Sequence, residues 1–337
     1  MLSGNLWPAH PHPYPDELLS SWLVRLAHAN GLKVQTFCDR EFGNEHQLWN
    51  RDIDRLGPTW LTEKLSKKTA TSEAQVLNST LTGYKDWLYD KPKVSGQLRW
   101  ILPLLMYHRK RQGYGLQYCP QCLAETAEPY YCKAWRVAFY TYCPMHETLL
   151  LDRCPICGCS VAFHRLELGR PSVIEAISLE NCWQCGFDLS KAAAQPVLKW
   201  DKPTFSHWTQ LLKQTCRGTP PYPRTDSFKL AVLHHFCAIL VSTRLAPKLQ
   251  NFLCNQTGQP YLPLLKTKRP FEQFSHEQRY YICGLALWLL MDWPNHLRIA
   301  WETREIRYID LLKDFHDAPL WYLTTTREFY HHTKQLL

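Results

Sequence analysis

The sequence predicts a mainly α-helical protein with small zinc-bound β elements. Its parts are an N-terminal helix-turn-helix domain (1–118), a tandem zinc-finger middle (119–198) and a helical C-terminal domain (199–337). Three observations carry this. Between Cys119 and Cys185 lie four ligand pairs, each with two residues between the ligands: Cys119/Cys122, Cys143/His146, Cys154/Cys157 and Cys182/Cys185. Near the N-terminus, apolar residues recur at helical spacing on either side of a glycine. After Leu198 the chain is a series of capped, apolar-periodic segments with no strand alternation.

Composition bounds the reading. The chain has 337 residues, 45% apolar and 20% charged, which suits ordinary globular domains. The longest apolar run, Tyr280 to Met291, falls short of the roughly 20 residues that span a bilayer. The first residues show no basic segment followed by an apolar core, so a cytoplasmic protein is expected. Of the 14 cysteines, half sit in the ligand pairs, which suits a metal in a reducing compartment better than disulfides. The net charge of +9 is uneven. Residues 1–118 carry 15 basic and 11 acidic side chains, 119–198 carry 6 and 8, and 199–337 carry 18 and 11. Phosphate contacts, if any, are therefore expected on the flanks of the zinc region.

In chain order, residues 1–15 are rich in Pro and His and must be extended or irregular. His10 and His12 within them are a weak metal pair. Asp16 reads as the N-cap of a helix from Glu17 to Asn30 with Leu18, Leu19, Trp22, Leu23 and Leu26 on one face. Gly31 stops it, and a second helix from Lys33 to Phe42 buries Val34 and Phe37. This is the outline of a helix-turn-helix, which pattern alone does not separate from an αα-hairpin that only packs a core. Arg25, set among apolar residues, reads as a structural ion pair. A further helix is expected from Thr71 to about Thr82. The basic run His108-Arg109-Lys110-Arg111 offers Arg109, Lys110 and Arg111 as candidate nucleic-acid contacts, although short charge runs are usually solvated loops.

The middle region divides into two four-ligand sets. The first is Cys119, Cys122, Cys143 and His146; the second is Cys154, Cys157, Cys182 and Cys185. A two-residue spacer lets a short turn present two ligands to one tetrahedral ion, and four protein ligands close the site to water and substrate. Two structural zinc ions per chain are expected. The insert of the first set, around Tyr130-Tyr131 and Trp135–Phe139, reads as β-rich. Leu149, Leu150 and Leu151 between the sets are expected to be shared packing. Cys132 and Cys159 are possible competing thiols, Cys159 at the expense of a strained turn. Beyond Leu198, helices are expected over Thr204–Cys216, Phe228–Leu245 with Asp226 as cap, a segment opened by the capping box Ser275–Gln278 and closed at Asp292-Trp293-Pro294, and Asn295 to the C-terminus.

No catalytic pattern is evident. The knuckles lack the His-x-Glu partner of a deaminase, and there is no phosphate loop, His-Glu-x-x-His or nucleophile elbow. Asp52/Asp54 and Asp314/Asp317 are too sparse to read as a nuclease site. A non-enzymatic binding protein is expected.

The run Pro15-Asp16-Glu17-Leu18-Leu19-Ser20-Ser21-Trp22-Leu23-Val24-Arg25-Leu26-Ala27, ending at Asn30-Gly31, resembles the N-terminal signature of the TniQ/TnsD family of transposon target-selection proteins. The order of knuckles from Cys119 to Gly186 resembles the same family, and Asp292-Trp293-Pro294 is similar to its C-terminal part. The resemblance implies a protein that marks target DNA and passes it to an AAA+ ATPase transposition regulator. Longer TnsD-like members read an attachment site directly. Shorter TniQ-like members, to which this chain is similar in length, dock on a CRISPR RNA-guided effector complex, in some systems as a homodimer. The alternative is a direct sequence-specific DNA-binding target selector of the TnsD-like kind, or a zinc or helix-turn-helix regulator. Of the family's residues, the resemblance carries over only the eight zinc ligands.

Overall fold

The structure, a computed structural model, describes residues 6–43, 48–107, 110–169, 178–216, 225–242, 246–264 and 269–335. Among them are thirteen helices: α1 (Leu19–Ala29), α2 (Val34–Phe42), α3 (Ile53–Leu56), α4 (Thr59–Thr69), α5 (Glu73–Asn78), α6 (Pro120–Glu125), α7 (Lys202–Cys216), α8 (Thr225–Leu240), α9 (Ala246–Thr257), α10 (His276–Leu290), α11 (Asn295–Glu302), α12 (Tyr308–Leu312) and α13 (Leu320–Gln335). Two antiparallel hairpins accompany them: β1 (Met106–Tyr107) with β2 (Lys110–Arg111), and β3 (Tyr142–Cys143) with β4 (Thr148–Leu149). No helix among the described residues is long and apolar enough to cross a membrane.

Helix α1 is buried from Leu19 to Ala27. Asp16 does not cap it, contrary to expectation. Asp16 ends a turn and residues 17–18 are extended, and the segment pairs with the insert of the first metal set: the Lys133 amide donates to Asp16 O (2.7 Å) and the Leu18 amide to Tyr131 O (2.8 Å). The extended backbone delays the helix to Leu19. The Pro-rich arm is pinned across α1. Trp22 Nε1 donates to Pro11 O (2.7 Å), Asn30 Nδ2 donates to Ala9 O (2.6 Å) and the Ala9 amide donates to Asn30 Oδ1 (3.1 Å). His12 hydrogen-bonds Thr71 and His10 the Trp7 carbonyl, so this pair serves the arm. Arg25, 4% exposed, pairs with Glu17 and Glu128 at 2.6 Å each, as its apolar setting suggested. The expected helix from Thr71 is shorter, α5, with a reciprocal Ser72–Gln75 capping box and a 3₁₀ turn at Leu81–Tyr84.

Helix α10 organises the C-terminal part. Its Ser275–Gln278 capping box is formed as expected, and it packs against α7, α8, α9 and α11. Glycine at position 284 lets the Trp200 ring lie directly on the helix, because a Cβ there would fall 2.0 Å from Trp200 Cζ2. Gly284→Ala is therefore expected to destabilise by about 1–3 kcal/mol through overpacking, read as a lowered denaturation midpoint; an unchanged midpoint would contradict the packing. Helix α8 ends at Leu240 and not at Leu245, and residues 246–257 form the separate α9. The Pro220–Pro223 break lies outside the described residues. Past Leu290 the chain turns at Asp292 and Trp293, which line an apolar cavity of about 710 Å³ with Leu211, Leu230, Leu287 and Trp321.

The three expected segments share one continuous hydrophobic core. Hydrogen bonds cross both expected boundaries: the Trp100 amide donates to Glu272 (2.9 Å), Tyr84 OH to Thr215 O (3.2 Å) and Trp208 Nε1 to Phe139 O (3.2 Å). Arg279, wholly buried on α10, donates to Ala138 O (2.8 Å) and Gln117 Oε1 (2.9 Å), which locks α10 beside Cys119.

His235 of α8 is 7% exposed, donates through Nε2 to Leu311 O (2.8 Å) and stacks on Phe315 at 4.3 Å. Burial holds its pKa down to about 4. The folded value lies below the ordinary one near 6.5, so its contribution is complete at neutral pH and is lost as pH falls from about 6.5 toward 4. Acidification across that window is expected to remove about 3 kcal/mol, and His235→Gln should flatten this part of the stability–pH curve.

Candidate metal centres

The eight predicted ligands fall into two clusters, and within each the ligand atoms all lie within 4.8 Å of one another. In the first, Cys119 immediately precedes α6 and Cys122 lies in its first turn, so the helix start sets their spacing. Cys143 ends β3, and His146 follows in the turn to β4. His146 Nδ1 stands 3.4, 3.4 and 3.3 Å from the sulfurs of Cys119, Cys122 and Cys143, and the Cys122 and Cys143 sulfurs are 3.6 Å apart. A tetrahedral ion bound at about 2.3 Å to each sulfur separates its sulfurs by about 3.8 Å, and a sulfur from a nitrogen by somewhat less, so the set is nearly at coordination spacing.

Glu125 was not anticipated. One turn after Cys122 on α6, its Oε1 lies 3.0 Å from His146 Nε2. A carboxylate on the far ring nitrogen fixes the tautomer, with the proton on Nε2 and the Nδ1 lone pair free for a metal. The only sequence signal is an acidic residue three positions after the second cysteine.

The second cluster repeats one turn twice. The Cys154 amide donates to Cys159 O (3.0 Å) and the Gly158 amide to Cys154 O (2.9 Å); the Cys182 amide donates to Phe187 O (2.7 Å) and the Gly186 amide to Cys182 O (2.9 Å). Gly158 and Gly186 both have positive φ, +70° and +78°, the conformation that lets the chain fold back under its ligands. Cys154 and Cys185 sulfurs are 3.6 Å apart, as are those of Cys157 and Cys182. The first ligand of each knuckle is buried and the second exposed.

The two centres are joined through the residues that precede them. The Tyr118 amide donates to Leu151 O (2.8 Å), the Leu151 amide donates back (2.9 Å), and Tyr118 OH donates to Arg153 O (3.0 Å). Leu149 and Leu150 are buried as expected. Asp152 is buried beside His276 and Arg153; burial alone would raise its carboxyl, but these two neighbours hold it down to about 2. The insert of the first centre is not β-rich. It forms a 3₁₀ turn, Lys133–Arg136, because Arg136 turns inward to Asp52 (2.6 and 3.1 Å) and Asp54 (3.4 Å). Cys132 and Cys159, the possible competing thiols, are both outside the two four-ligand clusters.

Three sulfurs with an imidazole, and four sulfurs, are donor sets suited to a soft divalent ion such as zinc. With four protein donors each, such centres would be structural.

The candidate nucleic-acid residues fare differently. Arg109 lies outside the described residues. Lys110 is exposed on β2. Arg111 is 9% exposed, donates to Val161 O (2.9 Å) and sits 5.1 Å over the Phe163 ring, while burial lowers its pKa to about 10. It points into the protein, because alternation along a strand sends neighbours to opposite faces. Helices α1 and α2 pack together, but α2 turns Thr36, Asp39 and Arg40 outward, a face with one cation next to an acid.

Residues 8–150 match the TniQ family model, a span that takes in the N-terminal helices and the whole of the first metal centre. No curated protein matches the chain.

Proposed function

From the premise that residues 8–150 are a TniQ domain, we propose that this chain is a non-catalytic adaptor in transposition target selection. It joins a target-DNA recognition complex, of which a CRISPR RNA-guided effector is one form, to an AAA+ ATPase transposition regulator. Two structural zinc ions hold its middle region. The TniQ match is the observation that carries the transposition role. What favours an adaptor over a direct DNA reader is where the cations lie. Arg25 of α1 and Arg111 of β2 are internal, and of the described candidate contacts Lys110 alone is exposed. The outward face of α2 pairs its one arginine, Arg40, with Glu41 (3.7 Å). A recognition helix needs several outward donors to phosphates and base edges.

The direct selector is the second reading, favoured by the excess of basic residues over 199–337. Binding of the zinc-loaded chain to random and candidate target duplexes at about 50 and 200 mM salt separates the two. The adaptor is expected to bind weakly and without sequence preference, and to be retained by the ATPase regulator and the recognition complex together. Tight, sequence-selective binding by the chain alone would overturn it.

A further inference from the structure

The second metal centre has a fifth thiol within reach. Cys159 Sγ lies 3.3 Å from Cys157 Sγ and 3.4 Å from Cys182 Sγ, closer than the 3.6 Å that separates Cys154 from Cys185 and Cys157 from Cys182 across the two knuckles. Its place is fixed by the knuckle, since its carbonyl receives the Cys154 amide. The turn does not require a cysteine there. In the partner knuckle the same position, with the same backbone hydrogen bond, is Phe187. Cys159 is partly buried, whereas Cys157 beside it is exposed.

We propose that Cys159 is an alternative ligand of the second centre, exchanging with Cys157 on a thiophilic divalent ion such as zinc. In the exchange the metal–sulfur bond to Cys157 breaks and one to Cys159 forms. The Cys159 thiol proton passes to the departing Cys157 sulfur, so four thiolates bind the ion before and after. The buried ligands Cys154 and Cys182, together with Cys185, stay in place. The exposed ligand can then be lost to oxidation or alkylation without release of the ion.

This rests on the second cluster being a metal site, and metal analysis of the purified full-length chain tests the two separately. Wild type is expected to hold about two zinc ions; about one would remove the second centre itself. Cys157→Ser and Cys159→Ser should each keep wild-type zinc, while C157S/C159S should lose about one ion, as Cys154→Ser does. Loss of an ion from C157S equal to that from the double variant would overturn the proposal. Limited alkylation of the zinc-loaded wild type, read by peptide mass spectrometry, covers the case in which C157S fails to fold. One label on the Cys157/Cys159 pair, shared between the two, is expected, with zinc retained. Label confined to Cys159, with Cys157 protected, would make Cys159 a bystander and overturn it.

Discussion

Cys119→Ser is expected to release one metal ion per chain and to unfold much of the protein with it. A structural zinc site does not exist in the unfolded chain, so its binding free energy is folding free energy, about 10–16 kcal/mol in small zinc modules. A typical domain has only about 5–15 kcal/mol in all. The first centre is set inside the core: Cys119 and Cys143 are buried, and so are Tyr118, Leu123 and Tyr142 beside them. Arg279 reaches from α10 to Gln117 and Ala138, so disorder at this centre spreads to the C-terminal helices. Cys154→Ser should also release one ion but leave more structure, because two ligands of that centre are already exposed. Metal content and thermal unfolding of both variants check this. A Cys119→Ser chain with wild-type metal and melting temperature would refute the assignment.

What the sequence made legible was what is local. Ligand pairs with two-residue spacers, the Ser275–Gln278 box and the apolar face of α1 each lie within a turn or two of chain. Turn geometry and helix period alone fix them. The pairing of Arg25 could also be anticipated, because a cation on an apolar helix face must be neutralised; its second partner, Glu128, could not be named, being 103 residues away. The misreadings all have long-range causes. Asp16 looked like a cap until its backbone paired with residues 131–133. Arg111 looked like surface charge until β2 placed it over Phe163 and under the Val161 carbonyl. Glu125 is invisible to motif spacing, because it acts on the far side of an imidazole. Cys159 could be read as a competing thiol, but not as a duplicate of a ligand that the motif already supplies.

Arg136→Met is expected to cost about 3–5 kcal/mol, the range for removing one partner of a buried ion pair. The guanidinium is wholly buried, bidentate on Asp52 (2.6 and 3.1 Å), 3.4 Å from Asp54 and bonded to Leu102 O (2.9 Å). Asp54 in turn accepts from the Ser20 amide and hydroxyl (2.7 and 2.8 Å), so one arginine of the metal-centre insert ties together α1 and α3. Burial pushes Asp52 upward, yet Arg136 holds its pKa below the usual carboxylate range; Asp54 is raised, by burial and by the neighbouring Asp52 charge. Methionine fills the space but leaves the two carboxylates without their hydrogen-bonded counter-charge, with only the more distant Arg111 near them, and both should then take up protons in the folded state well above their unfolded pKa. A raised folded pKa favours folding at low pH and costs stability as pH rises through the unfolded value. The deficit of Arg136→Met should therefore be largest near pH 8 and shrink toward pH 5. Adding Asp52→Asn and Asp54→Asn should recover most of it, since the cost lies in unpaired buried charge and not in lost attraction. Denaturant midpoints at the two pH values measure this. A deficit that is independent of pH and unrelieved by the asparagines would mean that Arg136 acts by packing alone.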